Sequence, residues 1–281
     1  IAAEPLSLPD PISLDGTWEI LFDPENKGRE AGWHREETFS SMTGRRSIEV
    51  PSCWEEIEQD YEGVAFYRRT FDVPATWAGK IIRLQFDAVN YLTEVWLNDE
   101  AVGFHEGGFT PFGFRVDNLI KTGEENRLLL RVVGPIILQD KNIDGVGRLE
   151  TPQWRGGITG GIWQPVRLVA TGESLVRDVF IEPKIADDSV TIHLDLENTG
   201  LVGTSVELET AIRLPGDPGP IVASTASTVF LRPGVSSHTQ TLKIPQARYW
   251  SPESPQLYRV DVTLAGSDRW TSRFGMREFT I

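Results

Sequence analysis

Apolar and polar residues alternate along most of this chain. Ile82, Leu84 and Phe86 interleave with Arg83, Gln85 and Asp87. Ile192, Leu194 and Leu196 interleave with His193, Asp195 and Glu197. Tyr258, Val260, Val262 and Leu264 do so with Arg259, Asp261 and Thr263. A period of two puts one face of a strand on a core and the other in water. Helical periodicity is nearly absent. Gly and Pro clusters punctuate the strands, as at Gly107-Gly108, Gly156-Gly157, Gly160-Gly161 and Pro215-Gly216-Asp217-Pro218-Gly219-Pro220. The chain therefore reads as all-β, built of sandwiches.

The composition changes near position 172. Seven of the nine tryptophans precede it, together with the aromatic and Gly-rich loops. After it come seven strand-like runs, at 176–182, 189–197, 204–214, 223–231, 236–244, 257–264 and 270–279. That number suits an immunoglobulin-like β-sandwich. Residues 1–172 are long for a small sandwich and suit a jelly-roll β-sandwich with long end loops. The expected organisation is a jelly-roll domain over 1–172, followed by an immunoglobulin-like domain over 173–281.

Composition narrows the function. The formal net charge of −14 repels phosphate backbones, so nucleic acid and anionic membranes are disfavoured partners. No apolar run reaches the roughly 18 residues of a membrane span. Cys53 is the one cysteine, which excludes an intrachain disulfide and a cysteine metal cluster. His34, His105, His193 and His238 lie too far apart for zinc-ligand spacing. No metal and no cofactor is expected. No Gly-x-Ser-x-Gly elbow or P-loop is present, and Cys53 reads as a small buried thiol at a strand end. The start, Ile1-Ala2-Ala3-Glu4-Pro5, is compatible with a mature end after signal cleavage. A periplasmic or extracellular location is expected, with a cytoplasmic one as the alternative.

Several pieces follow one another in a specific order: Leu14-Asp15-Gly16-Thr17-Trp18, Val50-Pro51-Ser52-Cys53-Trp54, Tyr61-Glu62-Gly63-Val64-Ala65-Phe66-Tyr67-Arg68-Arg69, Glu94-Val95-Trp96-Leu97-Asn98, Gly103-Phe104-His105-Glu106-Gly107-Gly108-Phe109, Gly160-Gly161-Ile162-Trp163-Gln164-Pro165-Val166 and Trp250-Ser251-Pro252-Glu253-Ser254-Pro255. In this order the chain resembles the N-terminal part of family 2 glycoside hydrolases, the β-galactosidase and β-glucuronidase group. The run Arg273-Phe274-Gly275-Met276-Arg277-Glu278 resembles the hinge that leads into that family's catalytic (β/α)8 barrel.

The resemblance implies a sugar-binding-type jelly roll and an Ig-like domain that pack against a catalytic barrel in the parent chain. It implies a retaining exo-glycosidase acting on terminal β-linked sugars. Such enzymes use two carboxyl groups about 5–5.5 Å apart, which in this family sit on the barrel, with the acid/base in an Asn-Glu pair. No Asn-Glu pair occurs here and no strand–helix alternation, so no catalytic residue is assigned. His105-Glu106-Gly107-Gly108 reads as a fold motif.

The resemblance also implies that two loops approach the sugar. The first precedes the Gly-Ile-aromatic exit strand and carries Asp144, Glu150, Trp154 and Arg155. Arg155 falls where an acid is expected, so that role passes to Glu150 or Asp144 or is absent. The second covers residues 55–63, with Asp60 and Tyr61 as polar candidates. The expected carbohydrate-binding residues are Asp60, Tyr61, Glu150, Trp154 and Arg155. A stacking indole and a few hydroxyl bonds support only weak binding of β-linked sugars, near millimolar, about −4 kcal/mol. A free-standing lectin-like module and a purely structural β-sandwich adaptor are the alternatives.

Overall fold

A computed structural model describes residues 8–150, 159–216 and 218–278. The chain divides into two compact units, one over Asp10–Ala170 and the other from Thr171 onwards. The architecture is all-β: a jelly-roll sandwich followed by an Ig-like sandwich.

The first unit begins with β1 (Ile12–Ser13) and β2 (Gly16–Asp23). Next come a short helix, α1 (Glu36–Ser41), β3 (Arg46–Val50), β4 (Val64–Asp72), β5 (Ile81–Phe86), β6 (Leu92–Leu97), β7 (Glu100–Glu106), β8 (Phe112–Arg115), β9 (Glu125–Val133) and β10 (Val166–Thr171). One sheet has the order β3-β2-β4-β9-β6-β7 and the other β1-β10-β5-β8. Their inner faces meet in one core. Trp18, Tyr67, Val95, Leu128 and Leu130 come from the six-stranded sheet, and Ile82, Leu84, Phe86, Val166 and Leu168 from the four-stranded one.

The six-stranded sheet is covered on its outer face as well. β9 shows why in its sequence: Leu128-Leu129-Leu130-Arg131-Val132-Val133 does not alternate, as expected of a strand buried on both sides. Leu129 and Val133 turn outward, onto Leu21, Val64 and Phe66. Phe39 of α1, with Trp33 and Met42, and Ile136, Ile143 and Val146 of the following loop close over them. Arg131, on this same face, is fully buried. Its guanidinium meets Glu94 at 2.8 Å, Asp144 at 2.6 Å and the Asn26 side-chain oxygen at 2.6 Å. Arg29, more exposed, bridges the same two carboxylates. Asp144 is therefore a structural counter-ion that ties the loop after β9 to the sheet.

The second unit holds β11 (Ser174–Lys184), β12 (Ser189–Asn198), β13 (Thr204–Arg213), β14 (Ile221–Leu231), β15 (Gly234–Lys243), β16 (Tyr258–Leu264) and β17 (Asp268–Phe274). The seven runs seen in sequence are these seven strands. They form sheets β11-β12-β15 and β14-β13-β16-β17. Ile192, Leu194 and Leu196 from one face Leu208, Val260, Val262 and Leu264 from the other. The last run ends at Phe274, not 279. A side chain at Gly275 would fall 2.8 Å from the Trp250 Cβ. Met276 instead makes a single parallel bridge to Tyr249, and the chain leaves the sheet there.

Candidate functional site

Two loops that the sequence places near a sugar meet at one end of the first sandwich, and two carboxylates turned inward hold them. The first is Glu62, just before β4. It is buried, and its oxygens accept the backbone N–H groups of Ile137, Leu138 and Gln139 at 2.5–2.9 Å. Lys141 donates to the Glu62 carbonyl. One acidic residue thus satisfies the first turn of the loop that leaves β9, where no strand partner is present to do so. Gly134 donates to Gly63 at 2.9 Å, which fixes the departure point.

The second is Glu55, at the start of the 55–63 loop. The backbone N–H of Gly160 reaches both of its oxygens, at 3.0 and 3.1 Å. Trp54 N–H donates to Gly160 O, Ser52 N–H to Ile162 O, and Asn90 and Gly161 exchange a backbone pair. The Asn90 amide also donates to Thr159 O at 2.5 Å. Burial pushes the Glu55 carboxyl up to about 7, against the pull of its backbone hydrogen bonds and with a small addition from Asp60. Burial likewise raises the Cys53 thiol, helped by the charges of Glu55 and Glu56. Cys53 is half-buried and unactivated.

Trp54 is the post around which both loop ends close. It is fully buried, and its indole packs edge-on against Phe22 and Tyr61. A Cβ on either Gly134 or Gly160 would fall 2.2 Å from its ring. No side chain fits at either place, which accounts for a glycine at each end of the long loop.

The expected sugar-binding residues are distributed unevenly over this frame. Asp60 is exposed, with φ of 55° at the tip of its loop. Tyr61 is turned inward: its ring meets Phe22 edge-on at 4.6 Å, and its hydroxyl donates to Val64 O at 2.7 Å. Burial raises that phenol strongly. Glu150 is exposed. Trp154 and Arg155 lie outside the described residues. Tyr91 joins this end of the sandwich with its hydroxyl 3.3 Å from Glu106. Burial first, then the charges of Glu106 and Glu150, raise it. Glu106, read in sequence only as part of a fold motif, is thus an exposed carboxylate beside an exposed-edge phenol. His105 keeps the structural role expected of it, stacked on Phe112 at 4.1 Å. Trp163 donates to Gly108 O at 2.8 Å and meets the exposed Phe109 edge-on.

Sequence reasoning missed Glu55, Glu62 and Tyr91. Glu55, Glu56, Glu58, Asp60 and Glu62 crowd one eight-residue stretch, and nothing local separates inward from outward. Among the described residues no group of three or more His, Cys, Asp or Glu is placed to hold a metal. No described helix is long and apolar enough to cross a membrane. The arrangement offers carboxylates, a phenol and aromatic edges toward an open end. It can bond sugar hydroxyls.

The fold and this loop end define a sugar-binding jelly roll joined to an Ig-like sandwich. The sugar-binding domain of glycosyl hydrolases family 2 matches residues 56–171, and that family's second domain matches residues 174–277. The chain belongs to glycoside hydrolase family 2, as its N-terminal sugar-binding and Ig-like domains. It is 25% identical to a β-glucuronidase from Paenibacillus borealis, over 95% of this chain and 45% of that protein. It is 28% identical to a β-galactosidase from Thermoanaerobacter pseudethanolicus, over 78% of this chain and 29% of that protein. The chain thus spans less than half the length of these relatives. A Lactobacillus rhamnosus β-glucuronidase structure superposes with a TM-score of 0.73 at 22% identity, covering 98% of this chain and 46% of that one. A family 2 member from Bacteroides cellulosilyticus superposes at 0.74 and 22% identity, covering 95% and 36%. These likenesses show the same fold.

Proposed function

We propose that this chain is the non-catalytic N-terminal region of a family 2 glycosidase that hydrolyses terminal β-glycosides. Its loops at 54–63 and 134–163 line the approach to a sugar site completed by a catalytic barrel. The observation that carries this reading is the double clamp. Glu62 and Glu55 fix the two ends of the long loop beside the 55–63 loop, the two loops that carry Glu150 and Asp60. Side chains on loops whose ends are held in this way can be presented to a ligand in a defined position. The relatives carry both β-glucuronidase and β-galactosidase names, which supports a β-glycoside and leaves the sugar open.

Catalytic residues are not part of this proposal. The barrel would exclude water and strengthen the hydroxyl contacts that these loops can make only weakly alone. Tyr61 and Asp144 act in it as supports, Tyr61 through Val64 and Asp144 through Arg131. The reading frame downstream of Ile281 tests the assignment. A continuation with strand–helix alternation and an Asn-Glu pair is expected. A stop codon directly after Ile281 would contradict it and favour a free-standing lectin-like module.

A further inference from the structure

β14 is the outermost strand of its sheet and pairs with β13 alone among the described strands. Every second residue of an antiparallel edge strand turns its N–H and C=O away from its neighbour. That leaves a row of backbone groups open to a further strand. Edges are normally guarded by charge, proline, a bulge or shortness. The other edges of this domain follow that rule. β11 carries Arg177, Asp178, Glu182 and Pro183, with a bulge between Val176 and Asp178. β17 carries Asp268, Arg269 and Arg273, and β15 ends on Lys243. β14 runs for 11 residues, Ile221-Val222-Ala223-Ser224-Thr225-Ala226-Ser227-Thr228-Val229-Phe230-Leu231, without a charge, a proline or a glycine. Its one irregularity is Val222, left over where Ile212 pairs with Ala223 and Arg213 with Ile221. Near its two ends Ile221 is 49% and Phe230 60% exposed. In a chain of net charge −14 this uncharged edge runs against the general trend.

By residue class β14 reads alike in both directions. About Ala226, Thr225 mirrors Ser227, Ser224 mirrors Thr228, and Ala223 mirrors Val229. A second copy of the strand, laid antiparallel with Ala226 opposite Ala226, sets hydroxyl against hydroxyl and apolar against apolar at each level. The extra residue Val222 brings Ile221 level with Phe230 of the second copy, so the two exposed apolar side chains cover each other. No charge is buried anywhere along the pairing. We propose that β14 is a homodimer contact: two copies of this chain pair antiparallel along it about a two-fold axis at Ala226, joining two four-stranded sheets into one continuous sheet. The mirror order decides for a second copy as the occupant. A foreign strand needs an open edge but no symmetry within it, whereas self-pairing about a two-fold axis needs both. The pairing uses up the open edge of each copy, so the contact closes at two. It does not depend on the role assigned to the loops of the first sandwich.

The test is sedimentation velocity of the 281-residue chain from about 1 to about 300 µM. One strand-on-strand contact buries little area, so a reversible monomer–dimer equilibrium is expected, with a dissociation constant of about 10–100 µM. Ala226→Glu sets two carboxylates opposite each other on the axis, and Glu209, directly across from Ala226 on β13, adds a third and a fourth. It should weaken the dimer about ten-fold or more. Trace labelled Ala226→Glu, titrated with Ala226→Lys, should recover parent-like association, because a carboxylate then faces an ammonium across the axis. Ala226 is exposed, so both variants should keep the parent's circular-dichroism spectrum at the lowest concentration. The proposal is overturned if the parent stays monomeric to about 300 µM, if it grows past a dimer, or if Ala226→Glu associates as the parent does. Failure of Ala226→Lys to recruit Ala226→Glu would also overturn it, by showing that the two copies do not meet at that residue.

Discussion

The Glu55 carboxylate receives the backbone N–H of Gly160 on both of its oxygens, across 105 residues of sequence. This one contact joins the 55–63 loop to the end of the long loop, and it makes the joint sensitive to pH. Burial raises the folded-state value to about 7, from 4.5. The folded protein therefore holds the proton more tightly than the unfolded chain does. The contribution to stability is full below about pH 4.5 and is lost as pH rises through about 7. Glu55→Gln removes the titration and keeps an oxygen for Gly160. The thermal midpoint of the parent should fall more between pH 5 and pH 8 than that of the variant. Parallel curves for the two proteins would show that Glu55 does not titrate in this window.

Glu62 is expected to be worth more than any exposed acid of the same stretch. Glu62→Ala leaves the N–H groups of Ile137, Leu138 and Gln139 without their acceptor, at a cost of about 2–4 kcal/mol. Glu56→Ala, at an exposed position two helical residues past Trp54, should stay within about 0.5 kcal/mol. Urea unfolding followed by tryptophan fluorescence gives both values. Limited proteolysis of Glu62→Ala should also cut between 139 and 159 earlier than in the parent.

The two glycines against Trp54 make a steric prediction. Gly134→Ala and Gly160→Ala each place a methyl 2.2 Å from the indole, so the ring or the loop must move. A loss of about 1–3 kcal/mol is expected from each, with a red shift in fluorescence where the indole is displaced. An unchanged midpoint in either variant would show that the loop can shift without strain.

Arg131 and Arg29 touch the same carboxylates but differ in burial. Arg131→Ala opens a cavity under the loop and leaves Glu94 and Asp144 with Arg29 alone, and should cost about 2–4 kcal/mol. Arg29→Ala, at a partly exposed position, should cost under about 1 kcal/mol. Equal effects in denaturant titrations would contradict the central place given to Arg131.

The strands were legible in sequence because one face of each second-domain strand meets water, and alternation records that directly. β9 was harder, since burial on both faces erases the period and hides Arg131 inside an apolar run. α1 has six residues and a single buried side chain, Phe39, too little to set a helical pattern. The region of the candidate site was legible through the ordered motifs, but the direction of each acid was not. Glu55 and Glu62 are turned inward by backbone groups 75–105 residues away. A polar phenol makes Tyr61 a candidate in sequence, whereas in the structure its ring fills the space beside Phe22 and Trp54.

Sugar binding by the chain alone should be weak. Titration with monosaccharides and β-linked oligosaccharides should give dissociation constants near millimolar, about −4 kcal/mol. Trp154→Ala and Glu150→Gln should each reduce it. Micromolar affinity that ignores Trp154→Ala would favour a free-standing lectin and remove these loops from the site.

The most direct test is an initial-rate assay of the purified 281-residue chain on chromogenic β-galactosides, β-glucuronides and β-mannosides. No turnover above a mock purification from the same host is expected, because the sequence holds no Asn-Glu pair to supply the family's acid/base. Turnover that scales with the chain's concentration and survives removal of host glycosidases would contradict the assignment of catalysis to a separate barrel.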